Sequence, residues 1–101
     1  MALEIPNVFH AACAVNGLGA ASFVINVGCA TVTRAGVGDY TLTIANPIGT
    51  TEALALAVIG SGLTGVINLL TLSTTQVRVR TFDLAGAALD TVWGLVVFKV
   101  A

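Results

Sequence analysis

The segment Gly60-Ser61-Gly62-Leu63-Thr64-Gly65 has the spacing G-x-G-x-x-G, which in many proteins cradles a dinucleotide. In such sites the glycines let the backbone approach the pyrophosphate, and a later acidic residue binds a ribose hydroxyl. An apolar run precedes this segment, and Asp83 lies beyond the next apolar strand. Residues 63–72, which lie between the apolar run and Asp83, fit the apolar spacing of a helix and that of a strand equally well. A strand–helix–strand unit is therefore one interpretation of this part of the chain.

Three observations oppose a dinucleotide site. A chain of 101 residues has no room for a complete doubly wound sheet and a substrate domain. The first 46 residues have the pattern of hairpins, and the segment that would be the helix runs into Ser73-Thr74-Thr75 without a charged residue for its outer face. We therefore expect residues 63–72 to be a strand, the glycines to form a turn between antiparallel strands, and the protein to have no cofactor and no catalytic residues.

The other reactive residues are few and scattered. His10 is the single histidine and stands on an apolar strand, so no Ser/His/Asp grouping and no transition-metal ligand set can be defined. Asp83 and Asp90 bracket one loop and have the chemistry to share a calcium ion, although turn formation is the use we expect of both. We expect Cys13 and Cys29 to be reduced, buried thiols. A disulfide between them is an alternative only if adjacent strands carry the two cysteines in register.

The elements that position these residues are β-strands. In residues 31–44 the threonines Thr31, Thr33, Thr41 and Thr43 alternate with apolar residues around the glycine-rich link Ala-Gly-Val-Gly. A period of two places the threonines on one face of a β-hairpin and the apolar side chains on the other. We assign Gly36 and Gly38 to the hairpin turn, because glycine adopts a positive φ without steric cost.

Alternation and glycine spacing predict further strands along the whole chain. Together they predict a single all-β domain over residues 1–101, a compact antiparallel β-sandwich or jelly-roll-like fold of about seven to eight short strands. Residues 1–7 are a possible N-terminal arm. The remaining predicted strands are Asn7–Val15 (Phe9, Ala11, Cys13 and Val15 on one side), Ser22–Val27 (Phe23, Ile25 and Val27 on one face), Ala53–Ile59, Gln76–Phe82 and Thr91–Val100.

The composition predicts that other subunits cover part of the surface. Hydrophobic residues make up 56% of the chain, charged residues only 9%, and the formal net charge is −1. A domain of this size leaves roughly a third of its unfolded surface exposed, and the chain has too few polar residues to coat it. We therefore predict an obligate oligomer, with subunit or core contacts made by Phe9, Phe23, Leu54, Leu56, Trp93, Leu95 and Val97.

The same composition weighs against two other classes of protein. The four basic residues are too few and too dispersed to neutralise phosphates, so we predict no nucleic-acid partner. Residues 53–72 form an uncharged window long enough to span a bilayer, but no aromatic belt and no nearby Lys or Arg flank it. We predict a pair of sandwich strands there and no membrane partner. The start Met1–Pro6 lacks a basic region, which predicts a protein that is made and kept in a cytoplasm or assembled there into a particle.

Two segments carry a resemblance to a known class of protein. Residues 32–44, with the pattern V-T-R-x-G-x-G-x-Y-T-x-T, and residues 77–90 with the strand that follows resemble small structural proteins of tailed bacteriophages. The resemblance implies a symmetric, often trimeric protein on the virion's capsid surface, assembled in the host cytoplasm, that cements contacts between major capsid subunits. The start at Met1 and the end in a strand favour a whole protein over a fibre fragment.

The alternative function is that of a receptor- or glycan-binding module of a phage tail fibre. Sugar-binding sites usually stack their ligand on exposed aromatic rings, and Trp93 and Tyr40 are the candidates for that role. Both alternate with apolar residues, a pattern that predicts burial of the two rings.

Overall fold

The chain folds as two four-stranded antiparallel β-sheets packed face to face. The computed structural model describes residues 9–49, 53–60 and 63–99. Sheet A has the strand order β2-β1-β8-β5 and sheet B the order β3-β4-β7-β6. The all-β antiparallel sandwich of seven to eight strands is confirmed. The strands are β1 (Phe9–Asn16), β2 (Ser22–Val27), β3 (Cys29–Gly36), β4 (Asp39–Ile44), β5 (Ala53–Ile59), β6 (Val66–Leu72), β7 (Gln76–Phe82) and β8 (Val92–Lys99). The possible arm of residues 1–7 lies outside the described residues.

The core lies between the two sheets and is built from alternate residues of the central strands. Sheet A contributes the inward positions of β1 and β8, and sheet B contributes those of β4 and β7. Burial alternates strictly along these four strands, as expected when one face of a sheet packs on its partner. The buried apolar residues are Ala11, Cys13, Val15, Cys29, Tyr40, Leu42, Ile44, Ile48, Val77, Val79, Trp93, Leu95 and Val97.

The segment that fitted both a helix and a strand is a strand. Residues 53–59 form β5 in sheet A and residues 66–72 form β6 in sheet B, so these two strands are not paired with each other in a hairpin. A dinucleotide motif requires a helix N-terminus after the glycines, and no helix occurs among the described residues. No helix in the described part of the chain is long and apolar enough to cross a membrane.

The β3–β4 hairpin has the two faces that its sequence predicts. Thr31 pairs with Thr43 and Thr33 with Thr41, and all four side chains lie on the outer side of sheet B. Val37 and Gly38 form the turn, where Gly38 has a φ of +61°. Gly36 is the last residue of β3 and pairs with Asp39, so only one of the two glycines assigned to the turn lies in it. The register shifts between Arg34 and Gly36, so Ala35 is the extra residue of a bulge in β3. Because the bulge accommodates this residue, two residues are enough for the turn.

Two irregularities in sheet A overturn predicted side-chain directions. The register shifts between Phe9 and Ala11, so Phe9 faces outward against Phe98 and is 64% exposed. A second shift lies in the β1–β2 pair, where Val24 is the inserted residue between Phe23 and Ile25. Each shift inserts one residue, which reverses the alternation beyond it. Phe23 therefore packs against the core, while Ile25 and Val27 point to the outer surface.

Candidate functional site

The outer surface of sheet A is the most unusual feature of the molecule. Twelve of the strand positions that do not face the core are apolar, and we call these residues the apolar face. Its large members on the flanking strands β2 and β5 are between 52% and 62% exposed. The apolar face comprises Phe9, Ala12, Ala14, Ile25, Val27, Leu54, Leu56, Val58, Val92, Gly94, Val96 and Phe98.

The apolar face has a defined relief. Cross-strand registers align the rows Val27–Ala12–Val96–Leu56 and Ile25–Ala14–Gly94–Val58 across the sheet. Ala12, Ala14 and Gly94 on the two central strands are therefore flanked by the larger residues of β2 on one side and β5 on the other, while Val96 also lies on a central strand. At the end of the face, residues 9–12 and Val27 line a depression of about 260 Å³.

The size of the apolar face is in the range of functional surfaces. Four strands at ~4.8 Å spacing, with about seven residues each at ~3.4 Å, cover roughly 450 Å² in projection. Soluble monomers rarely expose contiguous apolar patches larger than a few hundred Å². Two such faces together provide about 900 Å² before side-chain relief is counted, close to the ~1,200 Å² at which specific interfaces begin.

Charge is nearly absent from sheet A. Among the described residues of its four strands, the one charged side chain is Lys99, at the end of β8. Asn16 and Ser22 pair with each other and form a small polar margin at one end of the apolar face. A protein partner would therefore meet almost no polar group that loses hydration on contact.

The outer surface of sheet B is polar over β3, β4 and β7, and we call this part the polar face; on the edge strand β6, Val66 and Leu70 are 44% and 47% exposed. The four threonines of the hairpin lie beside Gln76, Arg78 and Arg80 on β7. Arg78 donates to both carboxylate oxygens of Asp39, at 3.0 and 2.7 Å. This hydrogen-bonded ion pair holds the pKa of Asp39 below its usual value. The two basic residues that share a face, Arg78 and Arg80, thus belong to a solvated surface that is interspersed with acid and hydroxyl groups.

Asp90 is the centre of the most connected polar cluster in the described chain. Its carboxylate accepts hydrogen bonds from Arg34 Nε at 3.0 and 3.1 Å and from the Gly38 N–H at 2.8 Å. The Tyr40 hydroxyl lies between two acceptors, the Gly17 carbonyl oxygen at 2.9 Å and Asp90 Oδ1 at 3.2 Å. These bonds fasten the loop before β8 to the turn of the β3–β4 hairpin. Each of these groups has a hydrogen-bond partner within the chain, so the cluster holds two backbone segments together.

The remaining candidates for chemistry are also occupied by structural contacts. The ring of His10 bonds the Asn46 carbonyl oxygen through Nε2 at 2.6 Å. Asp83 Oδ1 accepts the N–H groups of Ala85 and Ala87, which confirms turn formation as its use. Among the described residues no three His, Cys, Asp or Glu side chains are grouped so that they could hold a metal ion.

The residues predicted to make core or subunit contacts divide into two groups. Trp93, Leu95 and Val97 are buried, and Phe23 is half-buried against the core. Phe9, Leu54 and Leu56 contribute nothing to the core and lie on the apolar face. Sequence reasoning did not identify the apolar face as a whole, because Ala12, Ala14 and Gly94 have no distinctive signal until the strands are placed side by side.

The chain was compared with known proteins by sequence and by structure. No family model, no curated protein and no solved structure matches it.

The Asp90 cluster predicts a pH dependence of stability. The hydrogen-bonded Arg34 guanidinium, followed by the Gly38 N–H, lowers the pKa of Asp90 below its usual value. A carboxyl group whose pKa is lower in the folded state stabilises the fold above its unfolded pKa of ~3.9, and this contribution is lost as the pH falls through the folded value. We expect Asp90→Asn to lower Tm at neutral pH and to flatten its decline below about pH 4.

Thermal melts by circular dichroism between neutral and acidic pH would check this. Arg34→Met is the matched variant, since it keeps the carboxyl group and removes the guanidinium that lowers its pKa. It should reduce the acid sensitivity in the same direction. A constant difference in Tm between the wild type and Asp90→Asn at every pH would contradict the assignment.

Proposed function

We propose that this chain is a non-enzymatic structural protein of a virion, a capsid decoration or cement protein that associates with further copies of itself through the apolar face. The apolar face is the single observation that carries the proposal. A sheet that exposes leucine, isoleucine and valine on its outer side gains stability when that side is covered. The resemblance to phage structural proteins supports a homotrimer on the capsid surface, in contact with the major capsid protein.

The expected strength of association suits a protein that assembles on a shell. Six large side chains of the apolar face are at least half exposed, and covering the exposed part contributes about 1 kcal/mol each. Each copy that covers its apolar face in a closed oligomer gains ~6 kcal/mol on this basis, which is comparable to an association cost of ~4–15 kcal/mol. Free copies thus associate reversibly, and many contacts repeated over a shell add to a much stronger attachment.

Burial of the aromatic rings gives the glycan-binding alternative less support. Trp93 is 1% exposed and the Tyr40 side chain is completely buried. Neither ring offers a face to a sugar. The exposed aromatic ring of Phe9 packs against Phe98, at 5.2 Å between ring centroids, as part of the apolar face.

The first test is the native mass of the purified protein by light scattering in buffer without detergent. We expect a discrete closed oligomer, a trimer by the resemblance. Leu56→Glu should raise its dissociation constant about 100-fold, equal to ~2.8 kcal/mol, because it places a charge within the covered surface. Thr33→Glu is the matched control, because it places the same side chain on the polar face, on the edge strand β3 of sheet B. It should leave the mass of the oligomer unchanged.

The virion assignment needs a separate measurement. Empty shells of the major capsid protein should bind the wild-type chain in co-sedimentation and should resist heat dissociation better once it is bound. A chain that is monomeric at all concentrations would refute association through the apolar face. A well-formed oligomer that does not bind shells would refute the capsid assignment and leave the self-association intact.

A further inference from the structure

The two cysteines lie at the corner where the chain passes from sheet A to sheet B. Gly28 makes this corner with a φ of +78°. A Cβ atom at Gly28 would lie 3.0 Å from the His10 carbonyl oxygen and 3.5 Å from Ala11 Cα. The start of β3 therefore passes directly against β1, although the two strands belong to different sheets.

Asn26 connects the two cysteine positions. It stands opposite Cys13 in the β1–β2 register. Its side-chain amide donates to the Cys29 carbonyl oxygen and its Oδ1 accepts the Cys29 N–H, both at 2.9 Å. Cys13 and Cys29 are thereby brought to one corner of the core, where both are buried and neither forms a disulfide.

The electrostatics of the pair distinguish the two thiols. A hydrogen bond between the side chains raises the pKa of Cys13, and burial raises it further. The same hydrogen bond lowers the pKa of Cys29. Cys13 lies on β1 directly beside the edge strand β2, and Cys29 is the first residue of β3, which follows β2 in the chain. The outer side of β2 is exposed and the strand pairs only with β1 in sheet A, so local opening there would give an oxidant access to Cys29.

We propose that Cys13 and Cys29 are a modification site that closes to a disulfide joining the two sheets when the protein meets a small-molecule disulfide such as oxidised glutathione. The Cys29 thiolate attacks one sulfur of the oxidant, and a glutathione thiolate leaves. Cys13 then loses its proton and attacks the Cys29 sulfur, and the second glutathione leaves. The two thiols give up two electrons and two protons in all, and one glutathione disulfide becomes two glutathione thiols. This inference is independent of the proposed function.

The disulfide would stabilise the sandwich. It closes a loop of 17 residues, from Cys13 to Cys29, that contains β2. Cross-linking a loop of about this length restricts the unfolded chain enough to raise Tm by roughly 10–20 °C in a domain of this size. Because the bond joins β1 to β3, it would also restrain the separation of the two sheets at this edge.

The test is native oxidation of the reduced full-length protein with glutathione disulfide, followed by intact mass and peptide mapping. The expected product is a monomeric chain that has lost two hydrogen atoms, links Cys13 to Cys29 and melts higher, with reversal by dithiothreitol. Cys13→Ala and Cys29→Ala are the controls and should show no such product and no rise in Tm. Mixed disulfides with glutathione, cross-links between chains, or a Cys13–Cys29 bond that forms only in denaturant would each overturn the proposal.

Discussion

Replacing Trp93 by alanine should lower the free energy of unfolding by about 3–5 kcal/mol. The side chain is 1% exposed and projects into the core from the centre of sheet A, where β8 lies between β1 and β5. Its ring packs on Tyr40 of the opposite sheet, with 5.3 Å between the ring centroids. Truncation removes this contact between the sheets and leaves a cavity that strands held in ladders cannot close.

Urea denaturation followed by circular dichroism would measure the effect, since Trp93 is the chain's one tryptophan and its fluorescence is lost in the variant. Trp93→Phe is the matched control. It keeps an aromatic ring against Tyr40, and the indole Nε1 that it removes is buried without a hydrogen-bond partner. We expect it to cost less than half as much as alanine. Equal losses for the two variants would show that the volume of the ring is unimportant at this position.

Gly38→Val should destabilise the fold by about 3 kcal/mol or more, through two independent effects. Gly38 has a φ of +61°, a conformation that is strained for a β-branched residue. A Cβ atom there would also collide with the Thr81 carbonyl oxygen and lie 3.0 Å from the Leu89 nitrogen. Relief of that collision would break the bonds of the Gly38 peptide groups to Asp90 and to the Thr81 N–H, both 2.8 Å long.

The neighbouring Gly36 provides the control for this prediction. A Cβ atom at Gly36 meets nothing within 4 Å, and Gly36 is not among the glycines with positive φ. Gly36→Val should therefore change stability by no more than about 0.5 kcal/mol. Thermal melts of the two variants beside the wild type would suffice. Similar losses at both positions would mean that any side chain in this hairpin is harmful, and that the close approach of Gly38 to β7 is not the cause.

The β5 strand shows what a sequence pattern leaves undecided. Its alternation of alanine with leucine and valine predicts a strand with two apolar faces, and the strand is confirmed. Hydrophobicity alone favours leucine inside, yet Ala53, Ala55 and Ala57 pack toward the core while Leu54 and Leu56 point out. β5 is an edge strand of sheet A, and β6, the next strand in the chain, is an edge strand of the other sheet. The choice between two apolar faces is made by tertiary packing and is not contained in the pattern.

Long-range partners could not be read from the chain either. Arg34 and Asp90 are 56 residues apart and form a direct ion pair at 2.8 Å. Cys13 and Cys29 meet at a corner because the chain passes at Gly28 from β2 in sheet A to β3 in sheet B. Bulges beside His10 and Val24 reverse the directions of Phe9, Ile25 and Val27. Such contacts depend on strand order and register, which a period of two does not contain.

The sequence by itself determined the all-β class, the two-faced threonine hairpin, the burial of Trp93 and Tyr40, and the excess of apolar residues over what one small domain can hide. These follow from local alternation, turn chemistry and composition, which act within a few residues or over the chain as a whole. Only the tertiary structure decided that the excess gathers on the outer side of sheet A. Each of the four strands contributes only two or three apolar side chains to this face. The face becomes continuous only when these strands, which come from distant parts of the chain, lie side by side in the observed register.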